Sequence, residues 1–281
     1  MLLRPALELF LDVLRCPLCR TSRLHPERGA LRCPAGHGFD IGRHGYAALL
    51  TGTRATSGDD AAMVRARNRF LAGGGYAPVR SAVAALAAEP RPQRAAVLDV
   101  GCGTGHYLAG VLDRLPDAHG LGLDTSARAL RSAARAHGRA AAAAWDAFRP
   151  FPLADKAVDV VLNVFAPRNP AEFHRVLRPA GRLVVVRPTP RHLGELRRGL
   201  TAMPRVDPVK EDRLHRALDP SFEAVATLPV EYVLPLTEAL ALDLVGMTPG
   251  ARHLDPAAPV DGGALPREVT VSVLATAYRP R

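Results

Sequence analysis

Cys16-Pro17-Leu18-Cys19 and Cys33-Pro34-Ala35-Gly36-His37 set three thiols and an imidazole in two close pairs, a C-x2-C and a C-x3-H separated by 13 residues. Soft and borderline donors at this spacing suit a tetrahedral zinc ion. The four protein ligands, Cys16, Cys19, Cys33 and His37, would fill the coordination sphere, so the metal expected here is structural and not catalytic. A block of about 40 residues has little core of its own, and a metal staple is what lets such a block fold. The bland alternative is free thiols beside a surface histidine. The fourth cysteine, Cys102, reads as a small packing residue, and His25 and His44 read as solvated.

A second group of residues lies mid-chain. Val97-Leu98-Asp99-Val100-Gly101-Cys102-Gly103-Thr104-Gly105 runs from an apolar strand into a glycine turn and on towards a helix. Gly101, Gly103 and Gly105 would let the backbone turn tightly and approach a ligand with no Cβ in the way. In dinucleotide enzymes that geometry cradles a pyrophosphate. Asp99 argues otherwise, because a carboxylate just before the first glycine repels a phosphate and suits the ammonium of a methionine moiety. Two more acids close later strands: Asp124, placed to hold both ribose hydroxyls, and Asp146, placed to accept from an adenine amino group. Together these residues resemble the class I methyltransferases, which implies S-adenosyl-L-methionine as cofactor. A dinucleotide-binding dehydrogenase is what the glycine turn alone would also allow.

Positioning these groups takes a defined set of elements. Ala30-Leu31-Arg32 and Phe39-Asp40-Ile41 alternate like short hairpin strands around the metal. Thr51–Asp60 is a polar linker, followed by helical spacing over Ala61–Leu71, ended by Gly73-Gly74-Gly75, and over Val79–Ala88. From Ala95, strands at Ala95–Val100, Gly120–Leu123, Ala140–Ala144, Val158–Val164 and Gly181–Val186 alternate with helices at Tyr107–Leu115, Ala127–Ala136 and Ala171–Leu177. The alanines of 140–144 would suit a helix equally. Repeated β–α–β units predict a parallel sheet with helices on both faces. Phe222–Leu234 and Glu268–Tyr278, either side of a helix at Thr237–Gly246, would complete a seven-stranded sheet. The expected organisation is α/β: an N-terminal zinc-ribbon-like module over 1–50, a linker with helices over 51–92, and a Rossmann-like class I methyltransferase domain over 93–281.

Leu2–Leu14 is apolar but interrupted by Arg4, Glu8 and Asp12, and it reads as a short amphipathic helix, not a secretory signal. No stretch approaches the run of about 20 uncharged apolar residues that spans a bilayer. A cytoplasmic protein with no membrane partner is expected. The net charge is +10, carried almost wholly by arginine, with Lys156 and Lys210 the only lysines. Residues 1–70 hold 11 arginines against six acids. Guanidinium groups pair well with phosphate, so Arg15, Arg20, Arg23, Arg32 and Arg43 are candidate nucleic-acid contacts, with a solvated basic surface as the alternative.

Beyond both motifs, the chain resembles the RlmA family of 23S rRNA (guanine-N1)-methyltransferases, and most of all its TlrB-like macrolide-resistance branch. The resemblance is carried by Cys16–Cys19, Gly36-His37, Gly45-Tyr46, Asp59 with Met63, Ala66 and Arg67, Gly75-Tyr76-Ala77-Pro78, the Asp99–Gly105 turn, Asn163–Asn169, Arg175–Pro179, Arg191-His192-Leu193 and Met247-Thr248-Pro249. It implies methylation of guanine N1 in hairpin thirty-five of 23S rRNA, beside the macrolide site, and a homodimer. It further implies that Tyr76, Tyr107 with its neighbour Leu108, and His192 contact the cofactor. For the chemistry, Asn163 after the fourth strand and Asp59 in the linker are the candidates to meet the guanine and its N1 proton. Asn163 could equally bond its own turn. Thr104, Ala62 and Gly250 depart from residues common among relatives. Two other readings stand beside this one: a methyltransferase of a small molecule or protein, and a non-catalytic RNA-binding factor that keeps the fold.

Overall fold

The computed structural model describes residues 5–20, 22–52, 58–89, 94–199, 216–248 and 265–281. Its first elements are α1 (Pro5–Glu8) and a three-stranded antiparallel sheet of β1 (His25–Glu27), β2 (Ala30–Arg32) and β3 (Gly38–Asp40). The amphipathic helix expected over Leu2–Leu14 is helical only at Pro5–Glu8 among the described residues, and turns follow to Val13. Leu7, Phe10 and Leu14 are fully buried and anchor this segment.

Two helices lead into the main sheet. In α2 (Ala61–Ala72) the Asp60 carboxylate accepts from the backbone N–H groups of Ala62 and Met63, a side-chain N-cap that fixes where the helix begins. Gly73 closes it, and α3 (Ala77–Ala87) starts at once, with Pro78 in its first turn. There follow β4 (Ala96–Val100), α4 (His106–Arg114), β5 (His119–Asp124), α5 (Ala127–Ala133), β6 (Ala140–Ala144), β7 (Val158–Val164), α6 (Pro170–Val176), β8 (Leu177–Pro188), α7 (Gly194–Gly199), β9 (Phe222–Pro235), α8 (Glu238–Gly246) and β10 (Glu268–Pro280). The strands form one sheet in the order β6-β5-β4-β7-β8-β10-β9. The first five of these run parallel, and β10 and β9 add an antiparallel end.

Strand alternation sorts side chains to the two faces. Val97, Val160, Leu162, Val184 and Val186 pack under α3 and α4, while Ala96, Leu98, Val100, Leu121, Leu123, Ala141 and Ala143 point the other way. On that second face the expected layer of helices is incomplete. Residues 145–157, between β6 and β7, contain no helix. The gap is filled by the N-terminal module: Leu7, Phe10, Leu24, Leu31, Phe39, Ala47 and Leu49 belong to the same buried cluster as Leu98, Val100 and Leu123. The module also extends the sheet edge, because the Ala47 N–H donates to the Ala142 carbonyl (3.0 Å) and the Ala144 N–H donates to the Ala47 carbonyl (2.8 Å). This explains why an all-alanine segment is a strand here. Ala141 and Ala143 join the buried cluster of the module and Ala142 joins that of α5, so their methyl groups are covered on both faces. Among the described residues no helix is long and apolar enough to cross a membrane.

Candidate active site and metal centre

The glycine turn lies at the carboxyl ends of β4, β5, β6 and β7, where open α/β sheets bind ligands. A cleft of about 300 Å³ opens there. Gly101, Gly103 and Gly105 have φ of 76°, 53° and 83°, the left-handed region. At Gly101 a Cβ would lie 2.4 Å from the Ala166 Cβ, so glycine is required by space as well as by conformation. The N–H groups of Gly101 and Cys102 both donate to the Leu123 carbonyl, locking the turn to β5. Asp124 braces it again: one carboxylate oxygen accepts from the Gly103 N–H (2.9 Å) and the other from the Ser126 N–H (2.8 Å). Each oxygen keeps a further lone pair for a ligand hydroxyl. Asp146 also lines the cleft, with one oxygen accepting from the Phe148 N–H (2.9 Å).

Asp99 is almost fully buried, and its Oδ2 has no hydrogen-bond partner. A buried carboxylate oxygen without a donor is costly, and a cationic N–H would relieve it. Together with a turn that excludes a Cβ, this is the donor set that an aminoacyl sulfonium cofactor fits. Burial, reinforced by the like charge of Asp124, lifts the Asp99 carboxyl to about 7. An ammonium binds the ionised form, so cofactor affinity should rise with pH, by up to about tenfold per unit, until pH 7 and then level off. Asp99→Asn should flatten that profile in calorimetric titrations; an unchanged slope would place the titrating group elsewhere. For the free protein the sign is opposite. The folded state holds a proton that the unfolded chain releases above about pH 3.9, so this group's contribution to stability falls between about pH 4 and pH 7.

An aromatic wall closes the other end of the cleft. Tyr76 and Tyr107 line it, and His192 sits behind Tyr76, buried. The Ser272 N–H donates to His192 Nδ1 (3.2 Å), so the neutral ring carries its proton on Nε2, 3.3 Å from the Tyr76 hydroxyl oxygen. Burial, with Arg197 nearby, pushes the imidazole down to about 4 and keeps it neutral. Phe165 stacks on His192 at 5.8 Å and lies 5.9 Å from Tyr76. It is a non-glycine residue at φ 53°, a backbone state that costs energy and is tolerated where surroundings impose it. Asn163 supplies part of that constraint. Its side-chain amide donates to the Pro167 carbonyl (2.9 Å) and, at 3.4 Å, to Val100, so it holds its own turn and is fully buried away from the cleft. The Leu108 side chain is likewise fully buried, packed in the core beneath Gly120. Asp59 does line the cleft, paired with Arg67 at 2.8 Å, and Arg67 also donates to the Met247 carbonyl. Pro249 and Gly250, singled out in the sequence, lie outside the described residues.

The four predicted metal ligands converge, with their ligand atoms all within 4.8 Å of one another. His37 Nδ1 is 3.1, 3.4 and 3.7 Å from the sulfurs of Cys19, Cys33 and Cys16, and the Cys19 and Cys33 sulfurs are 3.7 Å apart. Ideal tetrahedral zinc would set these separations at about 3.6 Å for S···N and about 3.8 Å for S···S. The Cys19 N–H donates to the Cys16 sulfur, a bond that orients a thiolate ligand.

Spacing in the sequence did not single out several cleft residues. Arg67 entered only as one landmark among many, yet it positions Asp59. Trp145, the chain's one tryptophan, adjoins Asp146 and also lines the cleft. Phe148 and Phe165 are 71% and 41% exposed, the only two of the eight phenylalanines left open, and both line the cleft.

Fold, glycine turn and acid placement define a methyltransferase that uses S-adenosyl-L-methionine, built around one structural zinc site. A family model described as "Methyltransferase domain" matches residues 97–187, and one described as "RlmA, N-terminal" matches residues 14–54. A chain of Micromonospora griseorubida named as a 23S rRNA (guanine-N1)-methyltransferase is 48% identical, over 95% of this chain and 97% of that one. The 23S rRNA (guanine(748)-N1)-methyltransferase of Streptomyces fradiae is 44% identical, over 95% of this chain and 96% of that one. The YcgJ protein of Bacillus subtilis shares the fold alone, at 15% identity and a TM-score of 0.50 over 71% of this chain and 98% of that one. The chain belongs to the family of 23S rRNA (guanine-N1)-methyltransferases.

Proposed function

We propose that the chain methylates N1 of one guanine in hairpin thirty-five of 23S rRNA, in the cytoplasm and as a homodimer, and that this confers resistance to macrolides of the tylosin and mycinamicin type. The observation that carries the reading is Phe165, an exposed ring lining a cleft whose other groups suit the cofactor. The identity to the Micromonospora and Streptomyces relatives supports the reaction class.

When bound, the cofactor supplies an electrophilic methyl group. The chain's own residues do the positioning. Asp99, Asp124 and Asp146 would hold its ammonium, ribose and adenine ends, and Tyr76 and Tyr107 wall the side nearest Phe165. A guanine must leave its stack to reach the cleft, at a cost of a few kcal/mol. An exposed ring lining the cleft repays part of that by stacking on the extruded base. Asp59, steadied by Arg67, is the carboxylate we assign to accept the N1 proton.

Phe165→Ala should lower kcat/KM for an RNA hairpin by about tenfold to a hundredfold, the range expected for losing one base–aromatic stack, while cofactor affinity stays within about twofold. Phe165→Tyr should restore most of the loss. A cofactor affinity that falls as far as the RNA rate would show that the ring serves the cofactor instead. The biological part is tested by expression in a macrolide-sensitive host: tylosin tolerance should appear together with modification of hairpin thirty-five, and tolerance without modification would break the link.

A further inference from the structure

Where the N-terminal module meets α5, three guanidinium groups surround one imidazole. His44 Nε2 lies 3.1 Å from Arg43 Nε, and His44 Nδ1 lies 3.1 Å from a terminal nitrogen of Arg135. Both arginine nitrogens are donors. A neutral imidazole has one acceptor nitrogen and a protonated one has none, so one of these contacts sets N–H against N–H. Arg131, on α5, is close enough to add its charge, and its Nε is buried with no hydrogen-bond partner. Among the described residues, none of Arg43, Arg131 and Arg135 forms an ion pair with a carboxylate, whereas Arg67, Arg69, Arg80, Arg175 and Arg178 all do. Tyr46, two residues from His44, packs against the buried cluster that contains Leu130 and Ala133 of α5, which brings the two segments together.

Uncompensated cations gathered around one imidazole create a local field that an anion would neutralise. Bridging oxygens would also satisfy the mismatched donors, as guanidinium–phosphate pairs do. The other end of α5 touches the cleft: Ser126, its N-cap, donates to the Asp59 carbonyl. The helix is about 10 Å long, a few nucleotides along a strand.

We propose that Arg43, His44, Arg131 and Arg135 form a binding site for backbone phosphates of RNA, bridging the zinc module and α5 so that RNA gripped by the module is registered on the cleft. This rests on the RNA-substrate reading above and adds the surface that carries it. An extended phosphodiester chain, rather than a free anion, fits a row of cations shared between two parts of the fold.

The test is the salt dependence of hairpin RNA binding, measured by fluorescence anisotropy on the zinc-loaded full chain. Arg43→Gln/Arg131→Gln/Arg135→Gln is compared with Arg114→Gln/Arg267→Gln/Arg281→Gln, which removes the same charge from exposed sites elsewhere. The cluster variant should lower the slope of log affinity against log salt by about 2, with affinity reduced about tenfold or more, because each neutralised phosphate contributes about 0.7 to 0.9 to the slope. The control should change the slope by less than half as much, and cofactor affinity and melting temperature should match between the two. Equal losses in both variants would overturn the site and leave only a net-charge effect. So would a wild-type chain without salt-dependent RNA binding, or displacement of RNA by millimolar inorganic phosphate at constant ionic strength, which would mark a free-anion pocket. Primer extension on the same RNA reports the guanine-N1 reaction separately, so failure of that reading and failure of the cluster are distinguishable.

Discussion

Removing the zinc ion is expected to unfold far more than the block that binds it. In a free-standing finger, loss of metal melts the finger alone. Here Leu24, Leu31, Phe39, Ala47 and Leu49 cover Leu98, Val100, Leu121 and Leu123, which form one face of the central sheet. No helix between β6 and β7 is available to replace that cover. A structural zinc contributes about 10 to 16 kcal/mol in isolated fingers, comparable with the whole stability of about 5 to 15 kcal/mol of a typical domain. Treatment with a strong chelator, or Cys33→Ser, should therefore give a single cooperative transition at a much lower temperature. Cofactor binding at 37 °C should be lost with it. His37→Cys, which keeps four ligands, should retain most of the stability. Two separate transitions, with cofactor binding intact in the metal-free chain, would show that sheet and module are energetically independent.

The second large effect is expected at Gly101. An alanine there would adopt φ 76° and put its Cβ 2.4 Å from the Ala166 Cβ. The left-handed state costs about 1 to 2 kcal/mol for a residue with a side chain, and the overlap adds about 1 to 3 kcal/mol. Relief requires the Gly101 turn and the Phe165–Pro167 turn to part, which misplaces both ends of the cleft. Gly101→Ala should weaken cofactor binding about a hundredfold, equivalent to about 2.7 kcal/mol. Adding Ala166→Gly removes the overlap but not the backbone strain, so the double variant should recover about half of that free energy. No recovery would mean that strain alone governs the loss, and a single variant that binds normally would remove the turn from the cofactor site.

Much of this was legible in the chain because it is local. The metal ligands are fixed by spacing within 22 residues, and the structure brings all four together. The Asp99–Gly105 turn announces itself because an apolar run stops at three glycines that only a tight, ligand-facing turn requires. The placement of the zinc module on the sheet was not legible. It depends on Ala47 pairing with a strand almost a hundred residues later, and nothing near Ala47 encodes that partner. Asn163 shows a different limit. Its position at the end of a strand suited a catalytic amide as well as a turn-holding one, and only its distances to Val100 and Pro167 show where the amide goes. Phe165 carries no sequence mark of its left-handed backbone, since its conformation is imposed by the turn that Asn163 ties and by the rings of Tyr76 and His192.

This cleft is expected to deliver a methyl group to guanine N1. Purified, zinc-loaded protein should be incubated with labelled S-adenosyl-L-methionine and a 23S rRNA hairpin transcript, followed by nuclease digestion and mass spectrometry of the nucleosides, with primer extension on the same RNA. The expected result is 1-methylguanosine as the labelled product and one reverse-transcriptase stop, because a methyl group at N1 blocks Watson–Crick pairing. Label on any other nucleoside, or RNA bound tightly with no label transferred, would contradict it.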